Sequence, residues 1–257
     1  MAKILITGSS DGIGRHTAAT LAAQGHEVVL HGRNERRAAD ARDGVPAAAG
    51  VVVGDLASLE QTRDVARQAS ELGPFDVVVH NAGVGGGQAA PERTGDGLER
   101  IFQVNTLAPY VLTALLPAPA RLIHLTSGLE AGGRVRLDDL QWQDRDWDGM
   151  QAYSDSKLYD VMLAFAVARR RPGTLSNAVD PGWIRTRMGG PGATDDLPEG
   201  AETQVWLATS DEPAATVTGR YFKRRRELRA NAQAYDESLQ EELLAVCAEL
   251  SGVKLTS

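Results

Sequence analysis

The stretch Lys3-Ile4-Leu5-Ile6-Thr7-Gly8-Ser9-Ser10-Asp11-Gly12-Ile13-Gly14 decides how the rest of the chain is read. Lys3 to Thr7 is a short apolar run closed by Gly and Ser, the pattern of a buried strand. From Gly12 to Gln24 the residues Ile13, Ala18, Leu21 and Ala22 recur at helical spacing, and Gly25 can end that helix. A strand that turns through glycines straight into a helix leaves the first helical N–H groups free, with roughly half a positive charge at that end. Glycine also lets backbone approach a pyrophosphate closely. The spacing here is Gly-x-x-x-Gly-x-Gly rather than the Gly-x-Gly-x-x-Gly dinucleotide fingerprint; by itself it is a weak signal, with a helix-packing turn as the alternative. Its place directly after the first strand favours a ligand. Gly8, Ser10, Asp11, Gly12, Ile13 and Gly14 are therefore candidate cofactor-binding residues.

Outward from this turn, strand and helix patterns alternate. Strands are expected at Glu27–His31, Val51–Val53, Val77–Val79, Leu122–Leu125 and Ser176–Val179, with Tyr221-Phe222 as a last short one. Between them, helical patterns cover an Arg/Ala-rich segment after Asn34, then Leu59–Leu72, much of Leu98–Leu115, and Met150–Arg170. Ala230–Leu250 reads as an amphipathic C-terminal helix, and the Gly-, Pro- and Asp-rich Met188–Gly200 as a mobile loop. Unbroken alternation predicts an α/β fold: a Rossmann-type, doubly wound, mainly parallel sheet of about seven strands with helices on both faces. Right-handed crossovers put the strand ends that carry Gly, Asn and Ser on one edge, where such folds bind ligands. We expect residues 1–257 to form one dinucleotide-binding and catalytic domain, with 186–220 as its substrate-side loop and helix region.

Composition narrows the function. The chain is 42 % apolar and 24 % charged, ordinary for a globular protein. A net charge of -7 argues against nucleic acid as a partner. Cys247 stands alone, so no internal disulfide is possible. No apolar run is long enough for a membrane span, and Lys3–Ile6 before Gly8 is too short for a signal peptide, so a cytoplasmic location is expected. No His/Cys/Asp spacing suggests a metal site, and His80 and His124 read as packed, hydrogen-bonded residues.

Two positions bear on chemistry. At the end of the second strand, where an NAD-selective protein places an acid for the ribose hydroxyls, stand Gly32 and Arg33. A guanidinium pairs with a 2′-phosphate that a carboxylate would repel, which favours NADP(H) over NAD(H); the alternative is a solvated loop arginine. In the helical segment Ala152-Tyr153-Ser154-Asp155-Ser156-Lys157, Tyr153 and Lys157 are four apart and share a face. A phenol that works near neutrality needs a few units of pKa shift, about 3–4 kcal/mol of preference for the phenolate, and a neighbouring cation supplies it. A surface Tyr/Lys pair is the plain alternative.

Seven segments in order carry a resemblance: Thr7-to-Gly14, Asp55-Leu56, Asn81-Ala82-Gly83, Val104-Asn105-Thr106, Leu125-Thr126-Ser127, Tyr153-to-Lys157, and Pro181-Gly182 with Thr186. Over essentially its whole length the chain resembles the short-chain dehydrogenase/reductase family. His31-Gly32-Arg33-Asn34, Asp139-Leu140, Ser156-Lys157-Leu158 and the long spacing from Ser127 to Tyr153 look most like the retinol-dehydrogenase-like branch. The resemblance implies that Asp55 and Leu56 lie at the adenine and that Asn81, Ala82 and Gly83 border the adenosine ribose. It implies that Lys157 holds the nicotinamide ribose and lowers the pKa of Tyr153, and that Ser127 hydrogen-bonds the substrate oxygen. Asn105 would organise a water-linked proton path, and Ile184 and Thr186 would orient the carboxamide. The implied activity is an NADP(H)-dependent oxidoreductase acting on a small carbonyl or alcohol, in the reducing direction, as a homo-dimer or homo-tetramer.

Some features sit beside that reading. Asp11 stands where some NADP-selective relatives carry a basic residue, so selectivity rests on Arg33. Leu116–Arg121 is short. Lys223-Arg224-Arg225-Arg226 reads as a solvated face or an ion-pair partner of nearby acids. Trp142 and Trp147 either line a pocket mouth or pack an insertion. Rival readings are a C=C reductase or epimerase on the same fold, or a non-catalytic NADP(H)-binding sensor.

Overall fold

The structure is a computed structural model that describes residues 1–256. Eight strands form one sheet: β1 (Lys3–Ile6), β2 (Glu27–Gly32), β3 (Gly50–Val53), β4 (Val77–His80), β5 (Arg121–Leu125), β6 (Leu175–Val179), β7 (Tyr221–Lys223) and β8 (Arg226–Leu228). Their order is β3-β2-β1-β4-β5-β6-β7-β8, parallel throughout except for the antiparallel β7–β8 pair. This is the doubly wound arrangement. The order reverses between β1 and β4, and a crevice opens at the carboxyl ends of the strands at such a switch.

The helices are α1 (Gly12–Ala23), α2 (Glu35–Gly44), α3 (Leu59–Leu72), the single turn α4 (Arg100–Phe102), α5 (Ala108–Leu115), α6 (Gly149–Arg170), α7 (Leu197–Thr209) and α8 (Glu237–Ser251). Strand side chains alternate between two layers because the strand period is two. Leu5, Val29, Val52, Val78, Leu122 and Ala178 pack against α3, α5, α6 and α8. Ile4, Ile6, Val28, Leu30, Val77, Val79 and Ile123 pack against α1, α2 and α7. Both faces of the central strands are therefore dry, which is why they read as continuous apolar runs.

Several expectations are revised. An eighth strand was not foreseen: β8 is polar and exposed, and Arg224 (φ 49°) and Arg225 (φ 57°) make the β7–β8 turn without the Gly or Asn that usually marks one. The Leu98–Leu115 helix is broken by a π-helical turn over Gln103–Leu107. The Met188–Gly200 segment is bridged to Ile184 through Asp195 and enters α7 at Leu197, where the Asp196 N–H donates to the Glu199 carboxylate. The C-terminal helix begins later than expected, at Glu237, because the Asp236 carboxylate caps it by accepting from Ser238 and Leu239 N–H. Among the described residues no helix is long and apolar enough to cross a membrane.

Candidate active site

A cleft of about 600 Å³ opens at the β1/β4 switch. At one end it is walled by the glycine turn. Gly8 has φ 64°, and a Cβ there would stand 2.8 Å from Ala82 Cα; a Cβ on Gly14 would stand 2.3 Å from Asn81 Nδ2 and 2.6 Å from Gly8 O. The turn thus packs with no room for a methyl group. Its shape is held by two residues outside it. The buried imidazole of His31 accepts from Gly8 N–H through Nδ1, so the proton sits on Nε2, which donates to Gly54 O at 2.9 Å; burial lowers its pKa. Asn81 Nδ2 donates to Thr7 O and Gly8 O, while Thr7 Oγ1 accepts from Asn81 and Ala82 N–H. The Asp11 side chain does not cap α1, and Gly12, Ile13 and Gly14 line the cleft with the helix's leading N–H groups uncapped.

Beyond β2, Arg33 is exposed and lines the cleft, as do the half-buried Asp55 and the buried Leu56. Sequence reasoning missed Arg37. It lines the same wall, and its guanidinium is held by Asp11 at 2.6 Å and Asp40 at 3.0 Å. Asn34 caps α2 by accepting from Arg37 N–H. That places Arg37 in the first turn of α2, beside the carboxyl end of β2, a clue already present in the cap residue. Above the turn lies the 181–189 segment: a Cβ on Gly12 would meet Thr186 Cγ2 at 3.3 Å, and Arg187 lies 3.8 Å from Asp11.

The other end of the cleft belongs to α6. Tyr153 is half-buried and lines the cleft with Lys157, whose Nζ is 5.8 Å from the phenol ring centre. Lys157 is 5 % exposed; its ammonium donates to Leu125 O at 2.9 Å and to Asp160 Oδ2 at 2.7 Å. Thr126 Oγ1 fastens the Lys157 carbonyl at 2.6 Å. Asn105 sits inside the π-helical turn, a backbone irregularity that concentrates at functional sites. Its amide is fully engaged: Oδ1 accepts from Val84 N–H, and Nδ2 donates to Val84 O and Ser156 Oγ. Ser127 lies in the bend after β5, where its Oγ accepts from Leu129 N–H at 3.3 Å and keeps its own proton.

Most of the sequence-predicted residues are thereby brought to one cleft. Asn105, Ser127 and Ile184 do not line it with their side chains. Ile184 is 3 % exposed and turned toward α7, where a Cβ on Gly200 would meet its Cγ1 at 2.7 Å; Thr186 Oγ1 donates to its carbonyl at 3.3 Å. A second depression, about 420 Å³ over Glu227, Leu228, Arg229 and Tyr235, contains none of the predicted residues. His80 is hydrogen-bonded, Nε2 to Thr113 Oγ1 at 2.9 Å, but neither ring nitrogen of His124 has a partner, contrary to expectation. Trp142 and Trp147 stack edge to face, 5.1 Å apart, with the Arg145 guanidinium 3.6 Å over Trp142; they pack the insertion. The basic run is an ion-pair partner: Lys223 holds buried Asp180 at 2.7 Å, Arg224 holds Asp195 and Arg225 holds Glu202.

Residues 2–134 match the family described as short chain dehydrogenase. The sequence is 43 % identical to an uncharacterized oxidoreductase of Emericella nidulans over 98 % of both chains. It is 33 % identical to retinol dehydrogenase 13 of Homo sapiens over 99 % of this chain and 86 % of that one. A solved structure of an uncharacterized protein of Mycobacterium Paratuberculosis superposes with a TM-score of 0.84 at 26 % identity, covering 100 % of this chain and 96 % of that chain. A blue fluorescent protein from a metagenomic library, in complex with NADPH, gives 0.69 at 26 % identity over 86 % and 95 %.

Proposed function

Because the chain belongs to the short-chain dehydrogenase/reductase family, we propose that it is an NADP(H)-dependent oxidoreductase acting between a carbonyl and an alcohol, working as a ketone or aldehyde reductase. One observation carries the reading: Tyr153 and Lys157 open into the same cleft as the glycine turn. The residues present fit a nicotinamide dinucleotide. Uncapped N–H groups at α1 suit a pyrophosphate, and the glycines keep side chains out of its way. Arg33, with Arg37 beside it, supports a 2′-phosphate, and a solved relative binds NADPH.

When bound, the dinucleotide supplies the hydride. The protein supplies orientation and an acid. Tyr153 gives its phenol proton to the substrate oxygen, while Ser127, whose side chain does not line the cleft, is given the second hydrogen bond to that oxygen on the family resemblance alone. Lys157 spends two N–H groups on Leu125 O and Asp160 and keeps one for a ribose hydroxyl. Its charge favours the phenolate left behind. Asn105, with every amide group engaged, acts by holding the Val84 backbone and Ser156 in place along the proton path. Asp55, Leu56, Asn81, Ala82 and Gly83 border the adenosine, and Ile184 and Thr186 present the 184–186 backbone to the carboxamide. We place the substrate side on residues 186–220, from which Met188 already lines the cleft.

The test is a panel of ketones and aldehydes with NADPH, followed spectrophotometrically. Tyr153→Phe should lower kcat by roughly 10³-fold while NADPH affinity, read by fluorescence titration, stays near wild type. Loss of binding together with activity would give Tyr153 a different role. Retained turnover would remove it as the acid.

A further inference from the structure

Three residues beyond Lys157 on α6 lies Asp160, which the chemistry above does not use. Its Oδ2 accepts from the ammonium at 2.7 Å, and both side chains are nearly sealed, 6 % and 3 % exposed. Its other oxygen, Oδ1, is buried without a hydrogen-bond partner. No packing need explains a carboxylate there, since an apolar residue would avoid that unpaired oxygen. Burial pushes the Asp160 carboxyl up to about 6, against the pull of Lys157. For Lys157, burial works against the charge, but Asp160 and Tyr153 outweigh it and hold the ammonium above the usual lysine range. Of the other titratable groups packed about α6, His124 on β5 and His80 on β4 are kept neutral by burial, burial likewise keeps the protons on Tyr159, Tyr221 and Cys247, and the Asp155 and Glu130 carboxyls are held by Arg145 and by Asn231 N–H. Near neutral pH the charges that act on Lys157 are therefore those of Asp160 and of Tyr153 when ionised.

We propose that Asp160 is a positioning residue for the reaction: it aims the Lys157 ammonium and raises the proton affinity of the Tyr153–Lys157 couple. The inference rests on the reductase reading. With Leu125 O and Asp160 as fixed acceptors, Nζ cannot swing away; it lies 3.7 Å from where a Gly83 Cβ would be, on the cleft side. Phenol and ammonium face the same cleft, and a negative charge beside the ammonium weakens the pull that its positive charge exerts in favour of a phenolate. A reductase needs the phenol protonated, so the carboxylate extends the working range to higher pH.

Asp160→Asn keeps the shape and removes the charge. The couple then releases its protons sooner, and the alkaline limb of kcat/KM for carbonyl reduction moves down by on the order of one pH unit. Asp160→Glu, which restores the charge, should restore the limb. Below about pH 6, where the wild-type carboxyl is itself protonated, wild type and Asp160→Asn should converge. The phenolate absorbance, taken as the difference between each protein and its Tyr153→Phe form, reads the same shift without turnover. An inactive wild type would therefore sink the reductase reading while this titration still decides the role of Asp160. Should Asp160→Asn fail to fold, Asp160→Ser, neutral and with room for a water, carries the same test. A folded neutral variant whose limb and phenol titration stay at the wild-type positions overturns the proposal, even if its melting temperature has dropped.

Discussion

At the glycine turn the cleft is walled by backbone and by solvent-facing charge; at α6 it is walled by Tyr153 and Lys157, backed by a layer of buried polar side chains. Gly8, Gly12 and Gly14 form the wall, Asp11 leaves α1 without a side-chain cap, and Arg33 stands exposed beside an Asp11–Arg37 pair that is only partly buried. Lys157, Asp160, Asn105 and His124 are all below a tenth exposed, and their bonds are counted in single contacts: Leu125 O, Asp160 Oδ2, Val84 and Ser156. The first end offers a backbone shape and charges that water can screen. The second holds charge where water cannot compensate a mistake. One end should therefore fail when an atom is added, the other when a charge is changed.

The sharpest way to break this contrast is one methyl group at the backbone-built end. Gly14→Ala puts a Cβ 2.6 Å from Gly8 O, a backbone atom that cannot step aside without opening the turn. NADPH affinity should fall about 100-fold, and stability by about 1–3 kcal/mol. Wild-type affinity in fluorescence titration would show that the turn is looser than described.

The dryness of the other end is tested by acid. Burial lowers His80 to about 3 and holds His124 well below the usual imidazole range. A histidine with a depressed folded-state pKa binds fewer protons folded than unfolded, so its stabilising contribution is full above the unfolded value and is lost as pH falls toward the folded one. Each such histidine should cost about 2 kcal/mol between pH 7 and pH 5. Asp160, raised rather than lowered, opposes this in the same window, since it takes up a proton only when folded. Denaturant titration of His80→Leu should show a pH slope smaller by the contribution of one histidine; an unchanged slope would mean that water reaches this layer.

The smallest effect belongs to the exposed charge. Arg33→Asp should move the ratio of kcat/KM values for NADPH and NADH toward NADH by about tenfold, and less in high salt. If the ratio stays put, Arg37 is the residue that reads the 2′-phosphate, and Asp11→Asn, which leaves it only Asp40 as a carboxylate partner, becomes the sharper probe.

Much of the site was legible because it follows the chain. The strand ends at Gly8, Asn81 and Ser127 are marked by residues that end strands, and parallel topology sends all three to one edge. Helical spacing put Tyr153 and Lys157 on one face, and the family resemblance put that face at the site. What escaped depended on partners far away in sequence. Arg37 looked like one of several basic residues until Asp11 was found beside it, 26 positions earlier. His31 read as a strand residue, yet it braces the turn through Gly8 and Gly54. The β7–β8 hairpin was invisible because two arginines occupy its left-handed turn positions, and no sequence signal marks a turn of that composition.

Alternation of apolar runs with helical periods settled the doubly wound sheet, and the order of the short motifs settled which edge carries the cleft, because both are properties of the chain taken a few residues at a time. Burial and pairing were decided only by the tertiary structure. Whether Asp160 is a solvated helix acid or the counter-charge of Lys157, and whether Asn105 offers its amide or spends it, depends on which elements close over α6. Charge energetics change with the surrounding medium over distances that sequence neighbours do not report.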